Sequence, residues 1–190
     1  MKKIFLLVLF VSSATFAFTQ TEILDIKDDA VLHKFMIEKD SIAQLNIGKP
    51  YPEFHAISLD NEVFTDKYLT GKVTLINFWF EGCAPCVAEF ADLNKLYAKY
   101  SDNPDFQFVS FTRDSPESAE KTKAKYNIAF PIFHISENEN LRLSFNGGFP
   151  ANIIVDKKGN TIFFKSGGAI EKDKVEKEIQ LLEQRIVEAL

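Results

Sequence analysis

Two spacings of apolar residues alternate along this chain, and the switches between them set the predicted order of elements. Val73 to Phe80 is a nearly unbroken β-branched and aromatic run, the pattern of a strand buried on both faces. Gly82 ends it. Beyond Pro85 the apolar positions Val87, Phe90, Leu93, Tyr97 and Tyr100 recur at helical spacing. Upstream, Glu53 to Leu59 reads as a strand, Asp60-Asn61 as a turn and Glu62 to Thr65 as a second short strand, with one helical turn over Asp66 to Leu69 before Gly71. Downstream, Phe106 to Thr112 is a strongly apolar strand, and Asp114 or Ser115 opens a helix that runs to about Tyr126. Ala129 to Ile135 is strand-like and Glu137 to Phe145 helical. Asn152 to Val155, the turn Asp156 to Asn160 and Thr161 to Lys165 form a hairpin closed by Gly167-Gly168. The last helix places Val175, Ile179, Leu182, Ile186 and Ala189 on one face. Alternating strands and helices with a terminal hairpin imply an α/β domain, a central mixed β-sheet flanked by helices on both faces.

The N-terminal segment follows neither pattern. Met1-Lys2-Lys3 is a basic start, Ile4 to Val11 an apolar stretch, and Ser12 to Ala17 a small-residue region suited to cleavage, so residues 1–17 are expected to be a signal peptide. The apolar stretch falls short of the ~20 residues that span a bilayer, although an uncleaved anchor reaching Phe18 stays an alternative. Residues 18–45 form an N-terminal extension. Within it, Asp28 and Asp29 would cap a helix whose Leu32, Phe35, Met36 and Ile42 share a face; an irregular extension packed on the domain is the other reading. The break at Asn46 to Pro52, with one Gly and two Pro, starts the main domain, residues 46–190.

The chemistry concentrates at the end of the central strand. The two cysteines of the chain, Cys83 and Cys86, form a Cys-Ala-Pro-Cys motif at the start of the following helix, and Pro85 suits the first helical turn. Unpaired N–H groups and the helix dipole favour a thiolate at an exposed Cys83, while Cys86, one turn in and more covered, is placed to attack a mixed disulfide formed at Cys83. A purely structural disulfide is a weak reading, because so short a loop removes little unfolded-state entropy. A zinc site needs two further ligands, and His33, His55 and His134 are scattered without metal-ligand spacing. Neither a cofactor nor a metal is called for.

Charge and composition narrow the setting. Apolar residues make up 46% of the 190, with 19 Phe, enough for one sizeable core. Removing residues 1–17 loses two lysines and no acid, which leaves 20 basic against 27 acidic side chains and a net charge of −7. With no basic cluster, nucleic acid is not an expected partner. Export would put a reactive dithiol where it meets disulfides instead of a reducing thiol pool.

Phe78-Trp79, the Cys83 to Cys86 motif, and Gly148-Phe149-Pro150 before an apolar strand resemble the thioredoxin fold, and the lead-in Ile47 to Phe54 resembles the TlpA/ResA-like branch of extracytoplasmic thiol-disulfide oxidoreductases. The resemblance covers roughly residues 46–188. It implies a cis peptide bond before Pro150, facing the dithiol and presenting Phe149 beside it. Among the Phe-rich segments, otherwise core, Phe80 and Phe149 are the rings expected to line a substrate groove. Three positions depart from the family pattern. Gly82 stands where Trp usually precedes the first Cys, opening the surface beside Cys83. Asn77 stands where many thioredoxins have a buried Asp, and it cannot accept a proton. Ala91 replaces a proline often found early in the Cys helix.

Glu89 is the candidate for the missing proton acceptor. It lies three residues after Cys86, on much the same helical face, and the family has an acidic residue at the matching position. The bland alternative is a solvated helix glutamate, as most glutamates are. Glu81 is expected to be a surface carboxylate, and His55 and His134 to sit on strands. The sequence therefore leads to an extracytoplasmic, periplasmic or secreted thiol-disulfide oxidoreductase with catalytic Cys83, Cys86 and Glu89. It would reduce the disulfides of partner proteins, apocytochromes among them if the resemblance extends that far, and be recycled by an upstream membrane or soluble thiol reductant. A thiol peroxidase is the first alternative, although a Pro-x-x-x-Thr-x-x-Cys arrangement is missing from its cysteines. A non-enzymatic metal-binding or interaction module using both cysteines as ligands is the second.

Overall fold

The structure, a computed structural model, describes Ile37, Ser41 and residues 44–190. The expected signal peptide and most of the N-terminal extension, with its candidate helix, lie outside the described residues.

Among the described residues, seven strands form one mixed sheet. In chain order they are β1 (His55–Ser58), β2 (Val63–Thr65), β3 (Val73–Trp79), β4 (Phe106–Thr112), β5 (Ile132–His134), β6 (Ala151–Val155) and β7 (Thr161–Ser166). The α-helices among them are α1 (Ala84–Tyr100), α2 (Pro116–Tyr126), α3 (Glu137–Leu143) and α4 (Lys172–Ala189). A 3-10 turn, Asp66–Leu69, lies between β2 and β3. Across the sheet the order is β2-β1-β5-β4-β3-β6-β7. Strand β3 pairs in parallel with β4 and antiparallel with β6, and all seven of its residues are buried. That explains its continuous apolar pattern: a strand covered on both faces has no solvent side to alternate with.

The alternation survives as a division between two cores. Val73, Leu75 and Trp79 of β3 face one layer, with Phe90, Leu93 and Leu96 of α1, Ala119 of α2, and Val175, Ile179, Leu182 and Ile186 of α4. Ile76 and Phe78 face the opposite layer, with Tyr51, Phe54, Phe111, Leu143 of α3 and Phe164. Asn77 has the parity of Leu75 and Trp79, so it points to the α1/α4 side. Strand lengths fall short of expectation at β1, where Glu53 to Leu59 shortens to His55–Ser58, and at β5, expected over Ala129 to Ile135. Only Ile132–His134 is strand there: Pro131, whose carbonyl accepts the Ser110 N–H, has no N–H of its own to carry the ladder further upstream. Among the described residues no helix is long and apolar enough to cross a membrane.

Candidate active site

Strand β3 ends at Trp79, and Phe80-Glu81-Gly82 turns the chain into α1 with Cys83 as its N-cap. The Cys83 backbone N–H donates to the Phe80 carbonyl at 3.1 Å, and the Cys83 carbonyl accepts from Val87 N–H at 3.1 Å. Its sulfur accepts the Cys86 backbone N–H at 3.3 Å, serving one of the donors that a helix start leaves free. Cys83 and Cys86 are joined as a disulfide with their Cα atoms 5.3 Å apart.

One expectation needs correction here. Cys83 was to be exposed, yet it is 5% accessible and Cys86 1%. Both sit in the core layer under α1, with Phe80 and Phe149 packed against that layer. The N-cap position still leaves Cys83 the more accessible of the pair, and the neighbouring Gly82 is exposed.

Phe149 and Pro150 approach from β6. Ala151 pairs with Phe78, so the antiparallel register sets Pro150 beside Trp79, at the end of β3 from which the cysteine turn departs. The Phe149–Pro150 peptide bond is cis, and the Pro150 carbonyl accepts Gly167 N–H at 2.8 Å. The rings of Phe80 and Phe149 meet edge to face with centroids 5.1 Å apart. Arg113, which the sequence did not single out, lies over both rings, its guanidinium carbon 4.6 Å from the Phe80 centroid and 5.4 Å from that of Phe149. It also forms an ion pair with Glu137.

Glu89 is not a solvated helix residue. It is 1% accessible, on the face of α1 turned to the sheet. Its Oε2 accepts the Asn152 side-chain N–H at 3.2 Å, whereas Oε1 is buried with no hydrogen-bond partner. Burial raises its pKa from the ordinary 4.5 to about 7; the Asn152 hydrogen bond and Lys165 pull it down, and Glu178 pushes it up. The carboxyl thus changes charge near neutrality, the range in which a group can both accept and return a proton.

The residues around Glu89 come from a row that the strand register creates. Asn77 lies opposite Ser110 of β4 on one side and Asn152 of β6 on the other, and Asn152 lies opposite Lys165 of β7. All face the α1/α4 layer. Asn77 Nδ2 donates to Asn152 Oδ1 at 2.9 Å, and Trp79 Nε1 donates to Ser110 Oγ at 2.7 Å. Lys165 pairs with Glu178 of α4 at 2.9 Å and donates to the Gly167 carbonyl at 3.1 Å. Sequence reasoning missed Asn152, Lys165 and Glu178. The one available signal was two polar residues, Asn77 and Asn152, inside otherwise apolar strand runs.

The remaining candidates lie apart from this chemistry. Glu81 is exposed; its backbone N–H donates to Asp114 Oδ2 and its carboxylate accepts from Ser118 Oγ at 2.7 Å, which ties it to the start of α2. His55 and His134 sit on β1 and β5. Among the described residues no group of three His, Cys, Asp or Glu side chains is placed to hold a metal ion.

The AhpC/TSA family matches residues 47–162, a span that holds both cysteines, Glu89 and Pro150. The chain is 29% identical over 120 residues to the thiol-disulfide oxidoreductase ResA of a Bacillus cereus strain, covering 63% of this chain and 69% of that protein. It is 28% identical over 131 residues to the thiol-disulfide oxidoreductase YkuV of Bacillus subtilis, covering 66% of this chain and 88% of that one. A crystal structure from Chlorobium tepidum, assigned as the thiol:disulfide interchange protein DsbE, superposes with a TM-score of 0.66 at 26% identity, over 75% of this chain and 96% of the other. A Cys-x-x-Cys disulfide at the start of α1, a thioredoxin-fold sheet and these relatives converge: the chain belongs to the AhpC/TSA family and, within it, to the TlpA/ResA-like thiol-disulfide oxidoreductases.

Proposed function

We propose that the protein works outside the cytoplasm as a reductant of disulfides in partner proteins, with Cys83 as nucleophile, Cys86 as resolving thiol and Glu89 as the base that serves Cys86. The observation that carries this reading is the burial of Glu89 one helical turn beyond Cys86, with a pKa raised to about 7. A covered thiol must lose its proton before it can attack, and Asn77 offers no basic site.

Electrons and protons balance at each step. In the dithiol form, the Cys83 thiolate attacks one sulfur of the partner disulfide, whose S–S bond breaks and whose other sulfur leaves as a thiolate and takes up a proton. Cys86 gives its proton to Glu89, and its thiolate attacks Cys83 Sγ. The mixed disulfide then breaks, the second partner thiolate takes a proton from Glu89, and two electrons have passed to the partner. The protein ends as the Cys83–Cys86 disulfide and needs an upstream thiol reductant, membrane-bound or soluble, for the next cycle. Phe149, Pro150 and Phe80 form the surface against which an extended partner segment lies, the backbone of Phe149 being available for added-strand pairing. Apocytochromes fit the substrate class if substrate choice follows the family. Location rests on the signal-like pattern of residues 1–17. A net charge of −7 after cleavage gives no attraction to a phosphate backbone.

The test is covalent trapping. A reduced Cys86→Ser variant mixed with a disulfide-containing protein should accumulate mixed disulfides through Cys83, which a Cys83→Ser variant cannot form. Lack of adducts together with rapid consumption of hydrogen peroxide by the wild type would replace this reading with a thiol peroxidase.

A further inference from the structure

We propose that Asn152 is a positioning residue for Glu89, held in one amide orientation by Asn77, and that both amides turn over when Glu89 takes a proton. The inference rests on the proposed role of Glu89 as proton acceptor.

Donors and acceptors fix the orientation. An Asn side chain has one oxygen that accepts and one nitrogen that donates, and an ionised carboxylate only accepts. Asn77 Nδ2 donates to Asn152 Oδ1, and Asn152 Nδ2 donates to Glu89 Oε2. The donors therefore run in one direction, from β3 through β6 to α1, and end on a carboxylate. Asn152 cannot turn alone: its amide nitrogen would then face the Asn77 nitrogen, and its oxygen the carboxylate.

A proton on Glu89 changes the count. On Oε1 it would be buried with no acceptor, because Oε1 has no partner. On Oε2 it meets the Asn152 donor unless that amide turns. If both amides turn, Glu89 donates to Asn152 Oδ1, and Asn152 Nδ2 donates to Asn77 Oδ1, which is itself buried without a partner in the present arrangement. The same three side chains thus have two self-consistent arrangements, one for each protonation state of Glu89. A group beside Oε2 that follows the proton lowers the barrier to taking it and to returning it.

The other groups facing Glu89 do not substitute for this. Lys165 of β7 is committed to Glu178 and to the Gly167 carbonyl, so its charge reaches Glu89 already partly neutralised. Glu178 of α4 opposes ionisation, as does burial itself. Gly168 presents no side chain, and Cys86 lies one turn back on α1.

The experiment is nuclear magnetic resonance on the full chain with ¹⁵N and ¹³C labels, in disulfide and dithiol forms, across pH 5 to 9. Glu89→Gln assigns the Glu89 carboxyl signal. In the wild type the side-chain N–H signals of Asn77 and Asn152 should move with the same midpoint as that carboxyl. Asn152→Leu should raise the midpoint by about one pH unit. Asn77→Leu should shift it in the same direction although Asn77 bonds to Asn152 and not to Glu89, while Asn152→Ser, which keeps a small donor, should shift it less. Amide signals that stay fixed while Glu89 titrates would overturn the inference, and this needs no variant to fold beyond the assignment. The base reading fails separately: it falls if Glu89→Gln resolves mixed disulfides at the wild-type rate, whatever the amides do.

Discussion

Gly168 and Glu89 approach so closely that a Cβ at Gly168 would stand 3.2 Å from Glu89 Oε1, and 2.9 Å from Cγ of Pro150. The loop after β7 is thus a thin cover over the buried carboxyl, fitted to a residue with no side chain. Gly168→Ala should displace the Pro150 ring or the loop, because a pyrrolidine has little freedom to yield. A loss of about 1–3 kcal/mol in urea unfolding is expected, together with a downward shift of the Glu89 titration as water reaches the carboxyl. Wild-type stability and titration would mean that the loop moves freely and covers nothing.

The raised pKa of Glu89 has a consequence for stability. A carboxyl that holds its proton more tightly when folded favours the folded state at low pH. That contribution is fully present below about pH 4.5, where the unfolded carboxyl is also protonated, and it is lost as pH rises through about 7. The interval corresponds to about 3 kcal/mol. Glu89→Gln, which cannot ionise, should therefore match the wild type near pH 4 and be more stable above pH 7. Urea unfolding of both proteins at several pH values reads the difference directly, and parallel curves across the range would contradict it.

Trp79, the single tryptophan, is fully buried, and its Nε1 donates to Ser110 Oγ. Ser110→Ala leaves that N–H without its acceptor in the core, which should lower stability by about 1–3 kcal/mol. Trp79 emission should shift with it, since the indole loses its polar neighbour. The readout is one fluorophore in a variant that does not touch the cysteines.

Arg113 lies over both Phe80 and Phe149 and is tied to Glu137, so it fixes the rings that flank the cysteines. Arg113→Ala removes contacts worth about 0.5–2 kcal/mol. In steady-state reduction of a protein disulfide, KM should rise severalfold while reaction with a small disulfide, which needs no such surface, is unchanged. An equal effect on both substrates would place Arg113 outside partner recognition.

What the sequence revealed and what it hid divide along the range of the interactions. β3, α1, β4, α2 and α4 were legible because each carries its own periodicity: a run without alternation for β3, Ser115 capping α2, a single apolar stripe for α4. The Cys83 and Cys86 motif was legible because its spacing and its place at a strand-to-helix turn are local. The surroundings of Glu89 were not. Its burial depends on β6, β7 and α4, and its hydrogen-bond partner is 63 residues away in sequence. Asn77 and Asn152 meet only through the pairing register of β3 with β6, which no local pattern encodes. The expectation of an exposed Cys83 failed for the same reason: a helix N-cap is locally open, and the core layer that covers it is assembled from distant segments.

Whether Glu89 takes the proton from Cys86 is read most directly by stopped-flow kinetics. Mixing the reduced protein with a disulfide-containing substrate across pH 5 to 9 separates formation of the Cys83 mixed disulfide from its resolution by Cys86. Positioned proton transfer contributes typically about 100- to 10,000-fold. Glu89→Gln should form the mixed disulfide at close to the wild-type rate but resolve it at least tenfold more slowly at neutral pH, with the rate recovering as pH rises and Cys86 ionises by itself. Resolution by Glu89→Gln at the wild-type rate, with the wild-type pH dependence, would contradict the account and leave the proton to water.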